Sequence, residues 1–178
     1  MSTPNKDIEK VEVGLKWDPS PPGAPDHDLD IIAGAYTADS PHGSPAYLVH
    51  FDSRSPDGTI SLDRDSRNGQ GFGFDEVMTL ELSRLSAAYA RVVVGVVIQQ
   101  REGRKTFGDV PSTGIRVREG YTNLSEDGLS SVGDATAAIV AEFVRDASGV
   151  WRFHGTVRGF DGDPASFAAM MGNLAPGA

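Results

Sequence analysis

Residues 91–98 read RVVVGVVI. The run is bulky and β-branched on both faces, with Gly95 the one position that lacks a side chain. A strand that is apolar on both faces must be covered on both, so this segment is placed in the middle of a sheet. Reading backwards, residues 77–82 form another strand with Met78, Leu80 and Leu82 on one face. Residues 83–90 between the two are expected to make a short helical turn capped by Ser83. Further back, residues 29–36 and 46–51 are strands, and the turn SPDG at 55–58 leads into a strand at 59–62. Val11, Val13, Leu15 and Trp17 alternate with polar or small residues, the period of a half-buried strand. Prolines 19, 21, 22 and 25 then force a loop. Reading forwards, Ile115 and Val117 alternate with Arg116 and Arg118. Residues 137–145 are placed in a hairpin with the strand from Trp151 through Phe153 to Val157, joined by Ser148-Gly149. Asp163 and Pro164 supply an N-cap and a first-turn proline for a short C-terminal helix with Phe167, Met170 and Met171 on one side. Residues 1–10 read as a flexible terminus and residues 11–178 as one mainly β domain, with no internal repeat and no linker.

The chain has 178 residues, which suits one domain. Lys and Arg total 16 against 25 Asp and Glu, a formal charge of -9, which argues against a nucleic-acid or anionic-membrane partner. Residues 1–90 hold 15 of the acids against 7 Lys and Arg, so the excess lies almost wholly in the first half. Cysteine is absent, which excludes disulfides, thiolate metal sites and thiol nucleophiles. No secretory h-region opens the chain and the longest apolar run is residues 92–98, so the expected location is the cytoplasm. Trp17 and Trp151 fall on the apolar phase of strands and are expected in the core. Arg101, Arg104 and Lys105 form the one local basic cluster, placed at a solvated hairpin end where a phosphate or a partner would bind.

Acidic chemistry concentrates in two segments. In PDHDLDI (25–31), Asp28 and Asp30 project from one side of an extended chain while Leu29 points into the core. Paired carboxylates repel, and need a cation, a proton or a hydrogen-bond network between them. The second segment, residues 63–76, reads as one loop carrying Asp63, Asp65, Asn68, Asp75 and Glu76 among Gly69, Gly71 and Gly73. Glycines at alternate positions let carbonyls converge, and hard oxygen donors of this kind suit calcium better than magnesium. The four histidines, at 27, 42, 50 and 154, lack paired spacing and argue against zinc. From Asp65, Glu76 falls at the twelfth position, but Arg67 and Gly69 occupy ligand positions, so the loop is not an EF-hand. Asp26-His27-Asp28 has no nucleophile elbow to serve, and no P-loop occurs.

These landmarks come in a recognisable order: GLKWD at 14–18, DLD at 28–30, SPDG at 55–58, and the glycine-punctuated loop ending Asp75-Glu76. FGDV at 107–110, IRV at 115–117, LSED at 124–127 and GVWRF at 149–153 follow. Together they resemble the TerD family, the tellurium-resistance and stress-response proteins of bacteria, over residues 11–162. The resemblance implies a two-sheet β-sandwich with short peripheral helices and two calcium ions between acidic loops. It implies protein partners in a stress response, and no enzyme activity. Carried over position by position, the ligand set is Asp28, Asp30, Asp52, Asp65, Asn68, Gly71, Gly73, Asp75 and Glu76. Here Asp52 and Ser53 stand where the family has paired asparagines.

The sequence departs from the family pattern at Phe74, which replaces an aspartate, at Ser66, which replaces an asparagine, and at Arg64 and Arg67, whose charges oppose a cation. Asp52 adds a carboxylate in return, and the expected complement is one or two calcium ions. The expected function is a calcium-binding sensor or interaction module of the stress response, linked to tellurite resistance. One alternative is a metal-free structural protein in which Arg64 and Arg67 pair with the acids. Another is a divalent-metal-dependent phosphoester hydrolase with His27 as its base.

Overall fold

A computed structural model describes residues 8–71, 73–101 and 103–173. The flexible terminus expected over residues 1–10 lies largely outside the described residues, as does Phe72. The strands, in chain order, are β1 (Lys10–Lys16), β2 (Leu29–Thr37), β3 (Tyr47–Val49), β4 (Ile60–Arg64), β5 (Glu76–Glu81), β6 (Tyr89–Ile98), β7 (Gly114–Glu119), β8 (Thr122–Asp127), β9 (Ala137–Arg145), β10 (Trp151–His154) and β11 (Arg158–Phe160). One helix, α1 (Pro164–Met170), ends the described chain. The protein is mainly β, with one sheet ordered β4-β5-β1-β7-β8 and the other β10-β9-β6-β2-β3, to which β11 adds by pairing β9. β6 lies between β2 and β9, in mid-sheet as its two apolar faces require.

The two sheets close on a shared core. Val11, Val13, Leu15, Met78, Leu80, Ile115 and Val117 from the first sheet meet Leu29, Ile31, Val92, Val94, Val96 and Val140 from the second, and Trp17 and Trp151 join them. The opposite face of β2, β6 and β9 presents Ile32, Tyr36, Val93, Val97 and Ile139 to Phe167 and Met171 at the helix. Gly95 explains the gap in the valine run: a Cβ there would stand 2.5 Å from the Phe167 ring, so the missing side chain is the seat of the helix. Burying Phe167 in that seat contributes about 1.5–3 kcal/mol. Asp163 caps α1, its Oδ1 accepting from the Ser166 amide at 2.7 Å.

Four local expectations are corrected. Residues 83–90 do not form a turn capped by Ser83; a 3-10 turn occupies Leu82–Arg84 without a side-chain cap, and β6 has begun at Tyr89. Arg145 donates to the carbonyls of Leu85 and Ser86, which a continuing helix would have used. Asp63 and Arg64 belong to β4 rather than to the loop, because Asp63 accepts from Ser61 and Thr79 hydroxyls and holds that edge extended. The strand at 46–51 shrinks to Tyr47–Val49, since the His50–Ser53 bridge turns the chain. Met170 is exposed rather than turned inward with Phe167 and Met171.

Candidate metal centre

The acidic centre grows from a gap in sheet pairing. β3 is so short that it pairs only with Ala33, Gly34 and Ala35. The Ile31 amide beyond it therefore lacks a strand partner on that side, and it donates to Glu76 Oε2 at 2.7 Å. Glu76 opens β5 opposite Leu15 of β1, so this bond ties one sheet to the other through a carboxylate. Leu29 enters the core, as expected, joined by Ile31, and Asp28 and Asp30 take the alternate positions of the chain. One oxygen from each of Asp30, Asp65 and Glu76 lies within 4.8 Å of the others; Asp30 and Glu76 are buried and Asp65 is exposed.

The buried carboxylates share one habit: a single oxygen is held by a donor. Gln99 Nε2 donates to Asp30 Oδ2 at 2.7 Å. Arg101 pairs with Asp28 Oδ2 at 2.8 Å. The Trp17 amide donates to Asp75 Oδ2 at 2.8 Å. Asp28 Oδ1, Asp75 Oδ1 and Glu76 Oε1 are buried with no hydrogen-bond partner. A buried acceptor without a donor is costly, and a buried anion without a counter-charge more so. Burial first, then contact with the Asp65 carboxylate and the charge of Asp30, push Glu76 up to about 12. Burial and the neighbouring Asp30 raise Asp28 to about 6, against the opposing pull of Arg101. Burial raises Asp30 and Asp75 as well. Either protons or a cation must occupy this oxygen-rich space, and hard, monodentate carboxylate oxygens are suitable donors for calcium.

The expected ligands separate into groups. Asp30, Asp65 and Glu76 converge, and Asp28 is close enough to feel the charges of Asp30 and Asp65. Asp75 turns away from its neighbour Glu76 into a second hollow of about 350 Å³ lined by Trp17, Asp18, Gly69, Gly71 and Gly73. Gly69 has φ +76°, and a Cβ on it would meet the Trp17 indole nitrogen at 2.5 Å, which sets the loop against that ring. Asn68 spends its side-chain carbonyl on the Gln70 amide, at 3.0 Å. Asp52 is exposed, its amide donating to His50 Nδ1, and it is not among the carboxylates that converge.

Phe74 faces neither hollow as a ligand would. Its ring lies over Gly14, and the Arg116 guanidinium stacks on it at 4.2 Å. Among the described residues neither Arg64 nor Arg67 forms an ion pair; the guanidinium that reaches an acid of the centre is that of Arg101. Sequence reading missed Gln99 and Arg101 as partners of Asp30 and Asp28. They arrive through register: Leu29 pairs with Ile98, and the Gln99 amide donates to the Asp28 carbonyl at 2.9 Å. Nor is the basic cluster a free hairpin end. Arg104 is tied to Asp161, and Lys105 Nζ lies 2.9 Å from His27 Nδ1. Burial, then Lys105, lower the His27 pKa, so the ring is neutral near pH 7.

Comparison with known proteins follows the same lines. The crystal structure of a homologue of telluride resistance protein (TerD) from Streptomyces coelicolor A3(2) matches with a TM-score of 0.91 and 61% identity, over 93% of this chain and 98% of that one. Tellurium resistance protein TerD of an Alcaligenes species is 28% identical over 93% of this chain and 88% of its own length. General stress protein 16U of Bacillus subtilis is 28% identical over 97% of this chain and 92% of its own. These are names of resistance and stress proteins. Among the described residues no helix is long and apolar enough to cross a membrane. With the TerD domain model matching residues 1–170, nearly the whole sequence, the chain belongs to the TerD family.

Proposed function

We propose that this protein is a calcium-binding module of a bacterial stress response, working in the cytoplasm as a sensor or interaction surface and linked to tellurite resistance. Residues 11–178 would act as one domain. The observation that carries the reading is the set of buried, partnerless oxygens on Asp28, Asp75 and Glu76 beside the Asp30, Asp65 and Glu76 cluster. Asp30, Asp65 and Glu76 would hold one ion with Asp28 alongside. Asp75, with carbonyls of the Gly71 and Gly73 stretch, offers donors for a second. Asp52 and Asn68 stand outside both groups and would enter only by movement of their loops.

Bound calcium would supply positive charge that offsets the repulsion among these acids. The chain's own contribution is to hold one oxygen of Asp28, Asp75 and Glu76, by an ion pair or a backbone amide, and leave the other without a partner. Because Glu76 reaches from β5 to the Ile31 amide of β2, occupancy of the centre would brace the two sheets and stabilise the folded state. Protein partners would read the loops so ordered. Calorimetric titration of resin-stripped protein with Ca²⁺, and with Mg²⁺ as control, tests the reading. Saturable calcium binding stronger than magnesium binding is expected. No event at millimolar calcium would overturn it.

The Arg101–Asp28 pair favours a second reading, in which part of the centre is neutralised from within and the chain acts as a metal-free scaffold. A melting temperature that calcium leaves unchanged would decide for that alternative.

A further inference from the structure

Beyond the acidic centre, the loop after β6 builds a site of the opposite character. Gln100 closes this loop on itself: its Oε1 accepts from the Lys105 amide at 2.7 Å, and its Nε2 donates to the Lys105 carbonyl at 2.8 Å. The Lys105 backbone is thereby pinned and its side chain aimed at the chain entering β2. There Nζ donates to the Asp26 carbonyl at 3.2 Å and to His27 Nδ1 at 2.9 Å. An ammonium has three donors and no acceptor, so one N–H remains. The same contact makes Nδ1 the acceptor, and the neutral ring of His27 carries its hydrogen on Nε2. His27 is only 8% exposed.

His27 and Lys105 line a cavity of about 340 Å³ together with Arg101 and Arg104. Arg101 is ion-paired with Asp28 at 2.8 Å. Arg104 binds Asp161 and the Asp134 carbonyl through Nε and one terminal nitrogen, which leaves the other terminal nitrogen free. Among the described residues the wall holds two carboxylates, Asp26 and Asp28, and Arg104 is paired with a third, Asp161. Asp28 faces Arg101, and Lys105 has only neutral acceptors. In a chain of net charge -9, this cavity is lined by three cationic side chains and a histidine. Four nitrogen-bearing side chains on one cavity wall match an anion with several oxygens better than a two-oxygen carboxylate. The volume falls at the small end of ligand pockets, which run to about 1,000 Å³.

We propose that the cavity between residues 24–28 and residues 99–101 and 103–105 binds a phosphate group, free or as a small phosphomonoester, through Lys105, His27, Arg101 and Arg104. The test is calorimetric titration of the full chain, in buffer freed of divalent cations by chelating resin, with inorganic phosphate and separately with glycerol phosphate. One saturable event is expected. Lys105→Gln and Arg104→Gln should each weaken it about tenfold, the scale of one charge-assisted hydrogen bond. Arg84→Gln, on a distant ion pair with Glu81, should leave it unchanged. In ¹⁵N NMR of the unmodified protein, the His27 Nε2 signal should shift with the same saturation, a readout that needs no variant to fold. The tighter of the two probes identifies the source of the phosphate. Absence of saturation with both probes, or binding that leaves the His27 signal and the Lys105→Gln and Arg104→Gln affinities unmoved, overturns the proposal.

Discussion

Two glutamates lie buried between strands of this protein and meet opposite fates. Glu142 of β9 is 2% exposed and Glu76 of β5 is 0% exposed. Glu142 Oε2 receives Arg91 Nε at 2.6 Å and its terminal nitrogen at 2.5 Å. Arg91 in turn donates to the Pro41 and Gly172 carbonyls, both at 2.8 Å, so the pair fastens the segment after α1 to the sheet. Glu76 has no cation of its own and faces Asp30 and Asp65 instead. A buried carboxylate with an internal counter-charge is part of the scaffold. One that converges with other carboxylates, and whose nitrogen donor is a backbone amide, is open to a proton or a cation from outside.

That contrast breaks most sharply at Arg91. Arg91→Met leaves Glu142 buried without its cation and should cost about 3–5 kcal/mol in urea denaturation, with or without calcium. Glu76→Gln should do the reverse, leaving the cation-free protein as stable as before or more so. The variant should lose the stabilisation that calcium confers, about 2.7 kcal/mol at a hundred times the Kd, when melting curves with and without calcium are compared. If Glu76→Gln melts far below the parent without calcium, the glutamate is scaffold and the comparison fails.

Gly95→Ala drives a methyl toward Phe167 and should cost about 1–3 kcal/mol. Hydrogen exchange in the variant should rise at α1 and at the Gly172 contact of Arg91 while the acidic centre is unaffected. The pH dependence separates the two glutamates more gently. Asp28 titrates near 6 in the folded protein against about 3.8 unfolded, and Glu76 is raised further. The stability linked to these retained protons is full below the unfolded values and lost as pH rises through the folded ones. Acidifying the cation-free protein from pH 7 to 5 should therefore stabilise it by about 1 kcal/mol from Asp28 alone, or about 2–4 °C in Tm. Saturating calcium should abolish or reverse that gain. The smallest effect is expected at exposed Asp52, where Asp52→Asn should change calcium binding by less than about 0.5 kcal/mol in the same titration.

Much of this architecture is legible along the chain because it rests on local period. The alternation of Val11, Val13 and Leu15, the two-faced run at 91–98 and the hairpin around Ser148-Gly149 appear as strands in the sheets, although β1 ends one residue before Trp17 and β10 ends before Val157. The cap and proline at 163–164 appear as the start of α1. Asp28, Asp30, Asp65 and Glu76 could be named from acid pairing and glycine punctuation. What could not be named was their company: Gln99 and Arg101 carry no motif and reach the acids only because β2 and β6 pair in one register. The helical turn at 83–90 failed for a related reason, since Arg145, some sixty residues away, takes the carbonyls it needed.

By itself, then, the sequence determined a cysteine-free, acidic, mainly β chain with its carboxylates gathered in two short segments. It also determined where a helix would begin and which strand would lie in mid-sheet. Side-chain period and turn chemistry are properties of neighbours in the chain, and they survive without any knowledge of what packs opposite. Only the tertiary structure decided that Asp75 and Glu76, adjacent in sequence, serve different hollows. The same structure chose Arg101 as the partner of Asp28, and it filled the gap at Gly95 with Phe167. Those outcomes depend on register between segments 45 to 69 residues apart, as between Ile31 and Glu76 or Asp30 and Gln99, where a slip of one residue would turn every side chain to the other face.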